Sequence, residues 1–261
     1  MLFANNITVS RGRKVVLERV EMTVEPGRVV ALLGPNGAGK STLLGALAGD
    51  HPTSRGVVEL GGVPVSQIEL RELARSRAVL LQKSTLVFPF TVRDVVRMGG
   101  SVHTNLPRGC RIDDLVREAM ELAGVTHLGR RRYQQLSGGE QQRVQFARVL
   151  VQLMPWGIER PRYLLLDEPT ASLDIAHAIE LLGTARRLAT EHGVGVAIVL
   201  HDLNMAARWA DEVVLLDAGA VAARGTPREV LTSSLLERVY GVNALIMEHP
   251  CADAPLIVAR A

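Results

Sequence analysis

The chain has 261 residues, 47% of them hydrophobic and 22% charged, which is the composition of an ordinary globular protein. A core of this size stabilises a fold without a disulfide or a structural metal. The net charge is only +3 and 3% of the residues are aromatic, so we expect no nucleic-acid partner. Cys110 and Cys251 are far apart in the chain and form no CxxC pair, which fits a reducing compartment and gives no metal site.

No segment of the sequence is suited to crossing a membrane. The N-terminal stretch MLFANNITVSRGRK lacks the long apolar part of a signal peptide. The apolar run VGVAIVL at 194–200 is too short to span a bilayer. We therefore expect a soluble protein that would act at a membrane only through a partner.

Strand-like and helical stretches alternate in the first part of the chain. NITVS and VVLERVEMTV show partial alternation of apolar and polar residues. The apolar run RVVALLG at 28–34 ends in glycine, as a buried parallel strand does, and the helical stretch GKSTLLGALAG follows it. GVVELGGVPV predicts a hairpin around Gly61 and Gly62, and RAVLLQ predicts another short strand.

From about residue 84 to residue 160 the pattern changes to helices and loops. Amphipathic stretches at 112–123 and 140–154 predict helices. One face of the second helix carries Val144, Ala147 and Val151. This region reads as a helical segment of roughly 75 residues inserted in an α/β core.

Buried strands return after this segment. YLLLD, GVAIVLH and EVVLLD are separated by helical pieces at 175–190 and 203–210. The tail, 226–261, has two short helical pieces and the apolar stretches ALIM and PLIV. The predicted fold class is therefore α/β.

A phosphate-binding motif follows the buried strand at 28–34. The segment GPNGAGKST fits the pattern G-x-x-x-x-G-K-[ST], in which glycines let backbone N–H groups turn toward a β-phosphate. Lys40 would reach the β- and γ-phosphate oxygens, and the Ser41 hydroxyl would ligate Mg²⁺. The strand–loop–helix context makes a chance glycine-rich turn a poor explanation. The predicted nucleotide contacts are Gly34, Pro35, Asn36, Gly37, Ala38, Gly39, Lys40, Ser41 and Thr42.

Two carboxylates end the strand YLLLD. Asp167 falls at the carboxyl edge of the sheet, where it can hold Mg²⁺, and Glu168 is free to orient a water. Together the two motifs indicate a P-loop NTPase. The sequence has no NKxD motif to select guanine, so the expected nucleotide is ATP.

A third motif, LSGGEQQR at 136–143, leaves a serine and two glycines before a helix. A helix N-terminus with unpaired N–H groups is suited to an anion. Together with GPNGAGKST and LLLDEPTASLD, this motif resembles the ATP-binding subunit of ABC transporters over nearly the whole chain. The resemblance implies an ABC-type P-loop core with an antiparallel β subdomain and an inserted helical subdomain. The core lobe would comprise 1–83 and 161–261, and the helical lobe 84–160.

The resemblance also assigns residues to an active site shared by two copies. Ser137 and Gly139 would bind the γ-phosphate of an ATP held by the other copy of a head-to-tail homodimer, and Asp174 would lie in the loop that crosses the interface. Gln82 would contact Mg²⁺, and His201 the γ-phosphate. The implied catalytic residues are Glu168, His201, Lys40 and Gln82, and the implied Mg²⁺ ligands are Ser41, Gln82 and Asp167.

Two positions depart from the family pattern. Arg11 stands where the family often has an aromatic residue against adenine, and a guanidinium can also lie on a base. Glu140 replaces the usual glutamine, and an acidic residue suits the first turn of a helix. The remaining histidines are predicted to be surface residues: His51, His103, His127, His177, His192 and His249.

The same resemblance predicts the partners. They are a second copy of the chain, two membrane-spanning permease subunits and, indirectly, a periplasmic substrate-binding protein, at the cytoplasmic face of the inner membrane. The stretch KSTLVFPFTVRDVVRMGG would receive a permease helix. Its apolar residues suit a docking groove, but burial within the helical lobe explains them equally well: Leu86, Val87, Phe88 and Phe90.

The tail and one insertion predict the cargo. GTPREVLTSSLLERVYGVNALIMEHP resembles the tail of ATPases that serve iron–siderophore, vitamin B12 and haem importers. MPWGIERPRYLLLDEP, with its insertion at 155–162, resembles haem-importer ATPases in particular. We predict an ATPase for haem import, with a ferric siderophore or cobalamin importer as the alternative. A soluble ABC ATPase acting on DNA or ribosomes is disfavoured, because such chains usually carry two cassettes or long coiled-coil arms.

Overall fold

A computed structural model describes residues 1–82, 86, 88–103, 106–156 and 160–260. Val87 and residues 157–159, on which the docking and insertion predictions partly rest, lie outside the described residues. Among the described helices, none combines the length and the apolar character that a membrane span requires.

Strands and helices alternate along the described chain. The strands are β1 (Leu2–Arg11), β2 (Lys14–Val24), β3 (Val29–Leu33), β4 (Arg55–Leu60), β5 (Val63–Pro64), β6 (Arg77–Leu80), β7 (Tyr163–Asp167), β8 (Gly195–Val199), β9 (Glu212–Asp217), β10 (Ala220–Gly225), β11 (Ala244–Glu248) and β12 (Pro255–Ala259). The helices are α1 (Lys40–Ala48), α2 (Leu70–Ser76), α3 (Val92–Met98), α4 (Ile112–Leu122), α5 (Gly138–Leu153), α6 (Ile175–His192), α7 (Leu203–Trp209), α8 (Pro227–Val230) and α9 (Ser233–Tyr240).

The central sheet is formed by continuous apolar strands. Its order is β10-β9-β3-β8-β7-β6, with parallel pairing except between β10 and β9. Every residue of β3, β7 and β8 is buried, as expected for strands covered on both faces. Leu32 and Asp167 both pair with Val199, so the carboxyl ends of the three strands meet at one edge of the sheet.

A second, antiparallel sheet has the order β2-β1-β4-β5. The predicted hairpin is present in it, because Leu60 pairs with Val63 across Gly61 and Gly62. This sheet and α1 share a hydrophobic cluster with one face of the central sheet. It therefore covers the strand–helix unit that carries GPNGAGKST.

The helices α3, α4 and α5 pack on the other face. Val144, Ala147 and Val151 of α5 are fully buried, as their spacing predicts. The Gln152 side chain donates hydrogen bonds to Ala74 O at 2.8 Å and to Arg77 O at 3.0 Å, which attaches α5 to α2 and β6. The hydrophobic cluster of these helices continues into the central sheet.

Some elements differ from the sequence prediction. Helix α5 begins at Gly138 and not at residue 140, because Ser137 and Glu140 form a capping box that supports the two glycines in the first turn. The helix α2 and the strand β10 were not predicted. Strand β10 has no fully buried residue, so it lacks the continuous apolar run of β3, β7 and β8. The apolar stretches ALIM and PLIV pair as the hairpin β11–β12.

Candidate nucleotide-binding site

The loop between β3 and α1 requires glycine. Gly34, Gly37 and Gly39 have φ angles of 144°, 81° and 102°, a region that other residues rarely adopt. A Cβ on Gly34 would lie 2.2 Å from the carbonyl oxygen of Leu216. The loop therefore brings backbone N–H groups close together at the N-terminus of α1, which is a suitable geometry for an anion.

Lys40 lies across this loop. Its Nζ donates hydrogen bonds to Gly34 O at 2.8 Å and Pro35 O at 2.9 Å, and only 6% of the residue is exposed. Burial lowers the pKa of Lys40, and the carboxylates of Glu168 and Asp167 oppose this shift. The ammonium group is thus fixed beside the loop, where it can bind phosphate oxygens.

Ser41 and Asp167 contact each other directly. The Ser41 hydroxyl donates to Asp167 Oδ1 at 3.0 Å. Burial raises the pKa of Asp167, while the hydrogen bond from Ser41 opposes the shift. A hydroxyl and a carboxylate are hard oxygen donors of the kind that Mg²⁺ binds beside phosphates, so this pair fits the predicted metal.

Glu168 lies between Gln82 and His201. Gln82 Nε2 donates to its Oε2 at 2.5 Å, and His201 Nε2 lies 2.7 Å from its Oε1. The residue has a φ of 48°, so the chain turns sharply after β7. Both oxygens of Glu168 therefore have partners, and its orientation of a water stays a prediction. Each carboxylate oxygen accepts more than one hydrogen bond, so a water can still bind.

Lys40, Ser41 and Glu168 line a cavity of about 220 Å³. Val16, on β2, lines it beside the loop, and sequence analysis did not predict its position. Ala38 is 3% exposed and packs in the hydrophobic cluster, so only its backbone can face a phosphate. The lining residues are Val16, Asn36, Gly37, Gly39, Lys40, Ser41, Thr42 and Glu168.

Arg11, predicted to contact adenine, bonds instead to a histidine. Its Nη2 donates to His51 Nε2 at 3.0 Å. The His51 ring packs so closely on α1 that a Cβ on Gly45 would lie 2.6 Å from its Cδ2. His51 is therefore a partly exposed residue that packs on α1 and bonds to Arg11. Contact of Arg11 with adenine stays a prediction.

Other predicted surface histidines also have partners. His103 is half-buried, with Nε2 3.0 Å from Val151 O. The His177 Nδ1 lies 2.8 Å from Asp174 Oδ2, and its backbone N–H donates to Asp174 Oδ1 at 2.9 Å. Asp174 is thus the N-terminal cap of α6, a local function compatible with its predicted place at a dimer interface.

The segment LSGGE has a cap of its own. The Ser137 N–H donates to Glu140 Oε2 at 2.7 Å, and the Glu140 N–H donates to Ser137 Oγ at 3.3 Å. The prediction of unpaired N–H groups therefore fails for Ser137 and Glu140. It holds for Gly138 and Gly139, because the first turn of an α-helix cannot pair its N–H groups internally.

Ser137 and Gly139 are not among the described residues that line the 220 Å³ cavity. A Cβ on Gly139 would lie 2.8 Å from Ser172 O, so the backbones of the LSGGE segment and the loop before α6 approach closely. The structure thus links Ser41 to Asp167, and Glu168 to Gln82 and His201. The cavity lining does not include Ser137, Gly139 or Asp174.

Comparison with known proteins decides the family. A model of the ABC transporter family matches residues 17–171. The chain belongs to the ABC transporter family. This ABC protein is 51% identical to the hemin import ATP-binding protein HmuV of Bordetella pertussis, over 98% of both chains. It is 48% identical to the protein of the same name from Gloeobacter violaceus, over 99% of this chain and 94% of the relative.

Solved structures confirm the predicted ABC-type fold class. An inward-facing ABC transporter, described as metal-chelate type, matches with a TM-score of 0.81 at 26% identity. The match covers 100% of this chain and 97% of the chain in that structure. A dimeric post-hydrolysis cassette bound to ADP and Pi matches with a TM-score of 0.76 at 25% identity. The match covers 87% of this chain and 99% of the chain in that structure. The chain is an ABC-type ATPase that binds a nucleotide.

Proposed function

We propose that this ATPase drives haem import across the inner membrane, where it lies peripherally on the cytoplasmic face. The observation that carries the proposal is the identity of 51% over nearly the full length to a relative named for hemin import. Trp156, in the insertion predicted from the sequence, stacks on His192 with ring centroids 4.5 Å apart. Trp156, at the start of the insertion, thus packs against the end of α6.

ATP would bind with its phosphates at the loop before α1. Lys40 and the N-terminal N–H groups of α1 would stabilise negative charge on the β- and γ-phosphates. Ser41, Asp167 and Gln82 would hold Mg²⁺, which when bound neutralises phosphate charge. Glu168 would accept a hydrogen bond from the attacking water and orient it, while His201 holds the carboxylate and contacts the γ-phosphate.

We place the second half of each active site on another copy of the chain. Ser137, Gly139 and Asp174 are exposed or partly exposed and do not line their own P-loop cavity. The match to a cassette that is itself dimeric supports a head-to-tail pair. ATP would then join the two copies, and its hydrolysis would release them.

The permease would dock beside the segment that follows Gln82. Phe88 is 69% exposed and its ring lies 6.1 Å from that of Phe90, whereas Leu86 and Phe90 pack partly against the hydrophobic cluster. The exposure of Phe88 supports docking, and the packing of Leu86 and Phe90 supports burial for those two residues. A periplasmic haem-binding protein would deliver the cargo to the permease.

Reconstitution tests the proposal. The ATPase, in complex with two permease subunits in vesicles, should hydrolyse ATP faster when the haem-loaded binding protein is added. Deletion of the gene should abolish growth on haem as the iron source and leave growth on ferric siderophores intact. If siderophore use is lost and haem use survives, the cargo is a ferric siderophore and the haem proposal is wrong.

A further inference from the structure

A negative charge lies in the segment that the proposed function places against a γ-phosphate. Glu140 Oε2 is 2.7 Å from the backbone nitrogen of Ser137, so the carboxylate is held at the first turn of α5. The Ser137 backbone N–H, followed by its hydroxyl and by Arg131 and Arg143, lowers the pKa of Glu140. The carboxylate is therefore ionised at neutral pH.

This charge opposes phosphate binding. The carboxylate of Glu140 accepts a hydrogen bond from the backbone of Ser137. Ser137 and Gly139 are proposed to bind the triphosphate, so the negative charges of Glu140 and of the triphosphate repel each other. A glutamine would make the same capping box without the charge. The segment can serve an anion well only if another group neutralises Glu140.

Arg131 is placed to do this. Its Nη1 lies 3.3 Å from Glu140 Oε1, on the carboxylate oxygen that Ser137 does not use. Its Nη2 donates to Gln135 O at 3.1 Å, so the same guanidinium also holds the backbone that leads into the LSGGE segment. The Arg131 backbone N–H donates to Leu128 O at 2.8 Å, which fixes the start of this side chain.

We propose that Arg131 is a positioning residue for ATP in the composite site: it neutralises Glu140 and fixes the approach to Ser137, so that the LSGGE segment accepts a phosphate. The inference rests on the proposed function, because the phosphate belongs to a nucleotide on the second copy. Arg131 acts through Glu140 and Gln135 and does not itself touch the nucleotide.

Charge rescue tests the inference in the assembled transporter. Arg131→Ala should raise the KM for ATP about tenfold, because Glu140 then lacks its salt bridge and its charge repels the phosphate more strongly. The double variant Arg131→Ala/Glu140→Gln should return to within about twofold of the parent, since the repelling charge is gone. Arg132→Ala, which removes the same charge from the neighbouring exposed position, is the matched control and should change the KM less than about twofold.

The dependence of the KM on ionic strength gives a second measurement, which a purely structural role of Arg131 would leave unchanged. Raising the ionic strength screens exposed charges, so the KM of Arg131→Ala should fall toward that of the parent. Thermal unfolding of each variant verifies that all are folded. A KM for Arg131→Ala that equals the parent value, or that Glu140→Gln does not restore, would overturn the inference.

The same assay separates this inference from the proposed function. Ser137→Arg should abolish turnover if the composite site exists. If Ser137→Arg is inactive but charge rescue fails, only the role of Arg131 is wrong. If Ser137→Arg hydrolyses ATP normally, the composite site itself is wrong.

Discussion

Glu168 is the residue on which hydrolysis depends most directly. Both of its oxygens already have partners, Gln82 at 2.5 Å and His201 at 2.7 Å, and its side chain is only 15% exposed. Partners on two sides fix the direction of the carboxylate. A group held in this way can orient a water in line with a phosphate without first having to reorganise.

Glu168→Gln should bind ATP but lose nearly all turnover. The amide keeps the shape and one acceptor oxygen, but it is no base, so we expect a loss of roughly 10²–10⁴-fold. The variant should accumulate as an ATP-bound dimer in size-exclusion chromatography. Turnover within a few fold of the parent would remove Glu168 from this role.

The sequence predicts single residues well where a motif fixes their surroundings. The glycine-rich loop between β3 and α1 and the approach of Ser41 to Asp167 follow from strand–loop–helix patterns. The bond between Arg11 and His51 does not, because the two residues are 40 positions apart and only the folded chain brings them together. The capping box of Ser137 and Glu140 was readable from their spacing, but the glycines between them suggested an uncapped helix.

At the scale of elements, Asp211 joins three of them. Asp211 lies just before β9. Its Oδ2 accepts a hydrogen bond at 2.8 Å from the N–H of Val29, at the start of β3. The same oxygen pairs with Arg186 of α6. Burial acts to raise the pKa of Asp211, but the bonds from Arg186 and Val29 outweigh it and the net shift is downward. The carboxylate therefore stabilises the fold while it is ionised.

Asp211→Ala should lower the free energy of unfolding by about 1–3 kcal/mol, because the buried Val29 N–H loses its acceptor. Since the folded pKa is lowered, the contribution is present above the unfolded value of about 3.9 and is lost as the pH falls through the folded value. Asp211→Asn is the control: it can still accept from Val29 but has no charge, so this part of the pH dependence should vanish. Urea unfolding between pH 3 and pH 7 measures both effects, and equal stability of all three proteins would contradict them.

Substitution by alanine should have opposite effects on stability at two glycines, one at the end of a helix and one within a helix. A Cβ on Gly99, at the end of α3, would lie 2.0 Å from Arg148 O, so Gly99→Ala should destabilise the protein by about 1–3 kcal/mol. A Cβ on Gly183, within α6, would meet the Trp209 ring at 3.6 Å, an ordinary contact. Gly183→Ala should therefore stabilise it by about 0.5–1 kcal/mol, through helix propensity. Thermal melts of the two variants test this, and the same sign for both would be incompatible with these contacts.

The elements themselves were predictable to different degrees. The strands β3, β7 and β8 are continuous apolar runs and their positions follow from the sequence. Helix α2 was not predicted, because it spans only two turns and carries an exposed leucine, Leu70, that breaks the amphipathic pattern. The pairing of β11 with β12 depends on contacts with the rest of the fold, which local periodicity does not encode.

At the scale of the whole molecule, the predicted site residues form two separate groups. One surrounds the P-loop cavity, and the other lies at the start of α5 and α6. In the proposed homodimer each group meets the complementary group of the other copy. A single chain then has all the residues of an active site but no complete site.

Mixing variants tests this arrangement. Lys40→Ala removes the P-loop cation and Ser137→Arg blocks the LSGGE segment, so each variant alone should be inactive. A mixture contains heterodimers with one intact composite site, and it should regain up to about a quarter of the parental activity, because half of the dimers formed at random carry one of two sites. A mixture as inactive as its components, with heterodimers demonstrated by pull-down, would rule out a head-to-tail arrangement, and so would normal activity of either variant alone.

The hydrogen bond between Gln82 and Glu168 also bears on when ATP is hydrolysed. Gln82 immediately precedes the segment proposed to meet the permease, and it holds one of the two Glu168 oxygens. A displacement of that segment therefore reaches the water-orienting group through one hydrogen bond. If the permease docks there as proposed, its conformation can alter the rate of ATP hydrolysis through this bond, and ATP is spent mainly when the permease is ready for transport.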